Sequence, residues 1–261
     1  MSRFKLYIEF DGTRYSGWQM QKNAKSVQGK LLEAAEKIFK GERADVQGSG
    51  RTDAGVHAIC QTAHLEVNTM LAPEIIRMKL NDELPADINI LEVEKAHPKF
   101  HARHDAKKRS YIYQISTRRS AFGKPYVWWI KDKLDFTKMQ NAAKQFVGMY
   151  DFISFADKDE TEKSTKVFIE DVRLKREEDL ILIRVVGSHF LWKQVRRMVG
   201  VLVEIGRGNM NEGKIRQFLE RESNEPAKFT APPSGLFLEQ IVYEGERLAE
   251  DFSSFISIGR V

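Results

Sequence analysis

Gly48-Ser49-Gly50-Arg51-Thr52-Asp53-Ala54-Gly55-Val56-His57 is the stretch that decides how this 261-residue chain is read. Strand-like runs flank it, Arg43 to Gln47 before and Ile59 to Val67 after, so the decapeptide spans a turn between strands. Three of its first eight residues are glycine, which opens φ > 0 conformations and lets a large ligand approach the main chain. Within that frame stand the side chains of Arg51, Asp53 and His57. A carboxylate two residues from a guanidinium, on a tight loop, suits a site that needs one ionised acid. Surface turns favour Gly and Asp in any case, and a solvated ion pair there would have the same composition. The company the loop keeps along the chain decides between these readings.

Working outward, 42% hydrophobic and 30% charged residues describe a soluble globular protein. No apolar run is long enough to cross a membrane. The start, Met1 to Leu6, enters a strand pattern without the apolar core of a signal peptide. The single cysteine, Cys60, excludes an internal disulfide and a thiolate-rich metal site. A cytoplasmic protein is therefore expected. The net charge of +5 says less than its distribution. Between Lys99 and Arg119 there are seven Lys or Arg against one acid, Asp105, with Tyr111 and Tyr113 interleaved. Cations for phosphates and rings for unstacked bases are what an RNA surface needs. A basic strand edge that discourages aggregation has the same look.

In chain order, Leu6, Ile8 and Phe10 alternate as one face of a strand, and Tyr15-Ser-Gly-Trp18-Gln19 follows as an aromatic loop. Ser26 caps a helix carrying Val27, Leu31, Ala35, Ile38 and Phe39, ended by Gly41. Pro73 opens a second helix, and Asn89 to Val93 reads as a strand. Lys107 to Thr117 is a strand with Arg109, Tyr111, Tyr113 and Ile115 on one face. Asp135 caps a helix bearing Phe136, Met139, Ala143, Phe146 and Val147, stopped by Gly148. Val167 to Leu174 and Leu180 to Val186 form a hairpin, then come a helix from about Leu191 to Ile205, a shorter one after Asn211, and a last strand, Leu236 to Tyr243. Strands and helices mix without regular alternation, so the fold is α+β on mainly antiparallel sheet. A single boundary near residue 106 divides it into subdomains 1–106 and 107–261.

On the helix after Leu191, Val195, Met198, Val199, Leu202 and Ile205 share an arc at about 100° per residue. Arg196 lies at its border, Arg197 is expected to project away from it, and Lys193 sits on the polar side. An arginine at the border of a buried face keeps its charge beside a carboxylate or phosphate, or by snorkelling to water.

Together these stretches resemble the bacterial tRNA pseudouridine synthase family called TruA. The likeness runs from Phe10-Asp-Gly, Tyr15 to Gln19 and Val27-Gln28 through Gly50 to Ala58, the most specific motif. It continues with Leu84-Pro-Ala-Asp-Ile88, Phe100-His-Ala-Arg103, Arg109-Ser-Tyr-Ile-Tyr113 and Val195-Arg196, and ends at Ala231-Pro-Pro-Ser-Gly-Leu236. The resemblance implies the pseudouridine synthase fold, two α+β subdomains with helices on one side and an active-site cleft between them. It implies isomerisation of uridine to pseudouridine in the anticodon stem-loop of tRNA, at positions 38 to 40, by a homodimer without cofactor or metal. Asp53 would be the catalytic carboxylate, Tyr111 the active-site tyrosine and Arg196 the arginine paired with the aspartate. Arg51 is expected to fill or flank the space left by the extruded base. Gly55, His57, Arg103 and Arg109 are expected to bind substrate with it. The segment Phe190-Leu-Trp-Lys-Gln-Val-Arg196-Arg197 departs from the usual family pattern at Trp192, Lys193 and Arg197, and Ser49 stands where alanine is usual.

The chemistry asked of these residues is coherent with that. Moving the sugar from a base nitrogen to a base carbon needs a carboxylate to attack sugar or base, or to stabilise a sugar cation. The carboxylate must stay ionised, which a neighbouring guanidinium favours. A tyrosine or water can take the proton released as the base rearomatises. The base must leave its stack to be reached. One carboxylate suffices, whereas ordinary glycoside hydrolysis uses two. The alternatives are an RNA-binding protein of the same fold acting on a different RNA or without catalysis, and a metal-dependent nuclease using His57 or His64 with Asp53, or His97, His101 and His104. That trio lies in a basic segment with no second carboxylate, and a metal needs three or four converging ligands. Cys60, in an apolar strand run, reads as a buried thiol rather than a nucleophile.

Overall fold

A computed structural model describes residues 1–159 and 164–256. The chain forms two compact units, one of Met1–Lys107 with Phe237–Leu248, the other of Lys108–Leu236 with the residues from Ala249 on. They do not coincide with a single cut after residue 106. The reason lies in strand pairing, because the chain returns to its first unit near the end.

In the first unit, β1 (Ser2–Phe10) runs antiparallel to both β3 (His57–Val67) and β4 (Ile88–Lys95). β2 (Asp45–Gly48) pairs antiparallel with the far half of β3, Asp45 opposite Glu66 and Gly48 opposite Ala63. The returning strand β10 (Leu236–Val242) lies parallel to the near end of β3, Phe237 beside His57 and Leu238 beside Ala58. Period-two alternation holds on β1, where Phe4, Leu6, Ile8 and Phe10 are buried. α1 (Val27–Ile38) begins where Ser26 accepts a hydrogen bond from the Gly29 amide, and α2 (Pro73–Glu83) begins at its proline. The two helices pack on each other, α1 against β2 and α2 against β4. Ile76 and Leu80 turn inward on α2 while Ile75 stays largely exposed.

The second unit is built on an antiparallel sheet of β5 (Lys108–Ser116), β9 (Leu180–Gly187), β8 (Lys166–Glu177) and β7 (Gly148–Asp151). The short β6 (Trp128–Trp129) adds in parallel to β5. The hairpin of β8 and β9 turns at Glu178 and Asp179, with Glu178 in the left-handed region at φ 48°. α3 (Phe136–Ala143) is capped by Asp135, which accepts from the Lys138 amide. It ends sooner than its apolar spacing suggests, passing into a 3-10 turn at Lys144–Phe146 and leaving Val147 exposed. α5 (Lys214–Glu220) packs against β7.

α4 (Gln194–Arg207) is the axis of this unit. It starts three residues later than the apolar spacing indicates, because Lys193 takes a left-handed conformation at φ 64°. Instead of one apolar arc it is buried almost all round, and of its 14 residues only Arg196 and Arg207 escape burial. Packing this close needs Gly200, where a Cβ would fall 1.6 Å from the Phe229 carbonyl oxygen. Gly200→Ala is therefore expected to destabilise the protein by about 3 kcal/mol, the upper end for overpacking. Urea unfolding of the variant measures this, and a change under about 0.5 kcal/mol would contradict the packing described.

Arg197 corrects the sequence reading. It does not project to water. Its side chain is 8% exposed, and the guanidinium meets the Asp157 carboxylate, which also takes Lys193 at 2.5 Å. Burial raises the Asp157 pKa, but the Lys193 and Arg197 contacts outweigh it and the net shift is downward. A charge can be buried on the apolar side once a carboxylate partner meets it there.

Candidate active site

The decapeptide is the loop of the β2–β3 hairpin, and a second loop holds its shape. Trp18 donates its amide to the Thr52 carbonyl at 3.1 Å, and the Gly55 amide reaches the Tyr15 carbonyl at 3.3 Å. The Val56 amide closes a turn on the Asp53 carbonyl at 3.1 Å. Gly55 sits at φ 76°, a conformation that other residues adopt only with strain. Beneath the loop, the fully buried Gln61 accepts from the Ser49 hydroxyl at 2.6 Å and donates to the Gly50 carbonyl at 3.2 Å. Ser49, unusual for the family, thus has a local partner. Asp53 is half-buried and Arg51 exposed, so both charged groups of the motif remain accessible in this unit.

His57 is different. It is 1% exposed, its Nδ1 accepts from the Gly12 amide at 3.1 Å, and its ring stacks on Phe237 at 4.7 Å. A side chain so enclosed braces the loop from below. Arg103 is exposed at the end of the Phe100 to Arg103 motif, where its amide donates to His101 Nδ1 at 3.2 Å.

The second unit carries the other candidates. Arg109 and Tyr111 are half-exposed on β5. Arg109 donates to the Ser188 carbonyl at 2.7 Å, and the Tyr111 ring meets Phe190 edge-on at 5.2 Å. Arg196 is fastened twice to one residue. Its Nε donates to the Ala231 carbonyl at 2.7 Å, and its own carbonyl accepts from the Ala231 amide at 3.1 Å. Tyr113, on the same face of β5 as Tyr111, donates its hydroxyl to the adjacent Pro232 carbonyl at 2.8 Å. The motif at Ala231 to Leu236 is therefore the seat on which the tyrosine strand and the arginine helix of this unit both anchor.

Sequence reasoning passed over Gln61 and Asp157, and took Gln28 only as part of the Val27-Gln28 likeness. The only signal for Gln61 is an amide within a largely apolar run. For Asp157 there is none. The histidine trio offers little to a metal: His97 Nδ1 accepts from the Lys99 amide and His101 Nδ1 from the Arg103 amide, each at 3.2 Å. Among the described residues no group of three or more His, Cys, Asp or Glu could hold an ion. Burial pushes the Cys60 thiol up to about 11, which removes the thiolate a nucleophile needs.

His64 gives a pH signature. It is buried, accepts from the Ala102 amide at 3.1 Å, and lies against His101. Burial first, then the charges of His101 and Arg3, draw its pKa from 6.5 down to about 4. The unfolded chain takes up this proton near 6.5 and the folded chain only near 4, so stability is lost as pH falls through that window. The loss expected at the acid end is roughly 3 kcal/mol. Denaturant unfolding between these limits should show the loss for the wild type and a flatter profile for His64→Gln. Parallel profiles would count against the assignment.

The first unit thus carries one accessible aspartate on a glycine loop, and the second a tyrosine strand and an arginine helix. Residues 6–105 and 142–244 match the sequence profile of the tRNA pseudouridine synthase family, spans that hold Asp53 and Arg196 but not Tyr111. Three curated relatives, from Acetivibrio thermocellus, Rhodopseudomonas palustris and Fervidobacterium nodosum, are each 40% identical to this chain. The alignments cover 93%, 94% and 93% of it and 100% of each relative, and all three are named tRNA pseudouridine synthase A. The chain belongs to the tRNA pseudouridine synthase family, in its TruA branch.

Proposed function

We propose that the protein isomerises uridine to pseudouridine in tRNA, with Asp53 as the reacting carboxylate. The observation that carries this reading is a family match that spans both the aspartate loop and the Arg196 helix. The bond from ribose C1′ to base N1 breaks, the base turns, and C1′ joins C5. The C5 proton leaves and N1 gains one. The change is redox-neutral and conserves every atom, so it calls for no cofactor. Asp53 acts by adding to the sugar or base, or by stabilising the positive charge on the sugar. Tyr111 handles the C5 proton, directly or through water. The family resemblance pairs Arg196 with the aspartate, and a guanidinium in that role keeps a carboxylate ionised. Arg51 fills or flanks the space left by the extruded base, and Arg103 and Arg109 hold phosphates.

Further parts of the reading are the uridines of the anticodon stem-loop as target, a homodimer as the working unit, and the cytoplasm as its place. The family resemblance supports all three. No helix among the described residues is long and apolar enough to cross a membrane. The experiment that tests the core of the proposal is tritium release from tRNA carrying carbon-5-labelled uridine. Release with an intact RNA product, unchanged by excess chelator, is expected. Cleaved RNA, or binding without release, would favour the nuclease or the non-catalytic reading.

A further inference from the structure

A pocket of about 320 Å³ opens wholly within the first unit, lined by Trp18, Gln19, Gln47, Arg51, His101 and Arg103 among others. Three separate motifs contribute to it: the aromatic loop, the glycine loop and the Phe100 to Arg103 segment. Asp53 is not among the lining residues, although it lies only two positions from Arg51. We infer that this pocket is a subsite for a second unstacked nucleotide of the tRNA, distinct from the uridine presented to Asp53. The inference rests on the tRNA-isomerase reading above and adds a point of substrate recognition to it.

The pocket is built, not incidental. Gln28 at its base is buried and fully engaged: its Oε1 accepts from Gln19 Nε2 at 2.8 Å and from the Met20 amide at 2.9 Å, and its Nε2 donates to the Val46 carbonyl at 2.8 Å. That network holds the Gln19 amide by its Nε2, so its Oε1 is the acceptor the network does not use. Gln47 donates Nε2 to Asp45 at 2.6 Å, which leaves a second oriented oxygen, its Oε1. The Trp18 indole is pressed against Gly48, where a Cβ would fall 2.5 Å from it.

The chemistry of the walls selects the ligand. Two amide oxygens and the Asp45 carboxylate make one side rich in acceptors, which repels a bare phosphate and favours N–H groups. The opposite character comes from Arg51, Arg103 and His101. His101 Nδ1 already accepts from a backbone amide, and burial first of all lowers its pKa, so the ring is neutral with its donor at Nε2. Guanidinium groups offer a planar face to an aromatic base and charge to the phosphate attached to it, while the buried Trp18 shapes the wall. A pocket that joins cations, a ring edge and oriented acceptors fits a nucleotide whose base carries an amino group. Uridine has none, so the subsite would read a neighbour of the target.

Gln47→Leu and Gln19→Leu test this, since Gln47 is exposed and its loss does not threaten the fold. Each is expected to raise KM for tRNA about five- to tenfold, the effect of one lost neutral hydrogen bond, with kcat at saturating tRNA within about twofold. A second arm uses tRNA pools in which inosine replaces guanosine, or purine riboside replaces adenosine, to delete the amino group one position at a time. One position should weaken wild-type binding about fivefold and make no difference to Gln47→Leu. An unchanged KM in both variants overturns the subsite. A raised KM with no amino-sensitive position overturns base recognition in favour of backbone contact. The binding arm can be read with Asp53→Asn protein, so a wild type that forms no pseudouridine would sink the activity reading without deciding this one.

Discussion

Asp53→Asn is expected to abolish pseudouridine formation, with a loss of about 10⁴-fold or more in the single-turnover rate, while the protein still folds and binds tRNA. The amide is isosteric with the carboxylate but carries no charge and is a poor nucleophile. It can neither add to the sugar or base nor hold a positive ribose. The fold should survive, because the loop takes its shape from main-chain bonds: Val56 to Asp53, Gly55 to Tyr15 and Trp18 to Thr52. Gln61 supports it from below through Ser49 and Gly50. Tritium release and tRNA binding, measured on the same preparation, separate chemistry from recognition. Release within tenfold of the wild type would remove Asp53 from the reaction.

Arg196→Ala should cost about 10² to 10³ in rate with a much smaller effect on binding, the range for removing one charged group from a reacting centre. Arg196 is the one residue in the body of α4 that is not buried. Its backbone and Nε are clasped to Ala231, which sets the direction of the guanidinium. Arg196→Lys keeps the charge but loses the planar fork, so it should recover only part of the rate. The comparison matters because the alanine variant alone also strands the Ala231 carbonyl. If lysine restored everything, charge alone would explain the arginine. If alanine were fully active, the pairing of Arg196 with Asp53 would fail.

How much of this was legible beforehand depends on the range of the interaction. Ser26 and Asp135 were readable as caps because a cap acts on amides three residues away. The β8–β9 hairpin was readable from its acidic turn, and the Asp53 loop from its glycines. Arg197 was misread because helical periodicity describes a face, not what lies opposite that face. Asp157 meets it from 40 residues away. The same limit hid the burial of α4 on almost every side, since the segment around Phe229 that covers it leaves no trace in the helix itself. His57 was legible only as a motif residue expected to bind substrate, and its inward position at the start of β3, against Gly12 and Phe237, depends on partners outside the motif. The single boundary near 106 missed β10, whose partner, β3, lies some 180 positions earlier (237 paired with 57).

That distant partnership sets the timetable of synthesis. The part of the protein that holds β1 to β4 cannot complete its own sheet when it is made, because the segment that lines up beside His57 and Ala58 follows some 180 residues after them. Until it arrives, an unsatisfied edge next to the Asp53 loop stays open to stray pairing, and a translation product cut short anywhere before residue 237 would carry the aspartate on an unfinished scaffold.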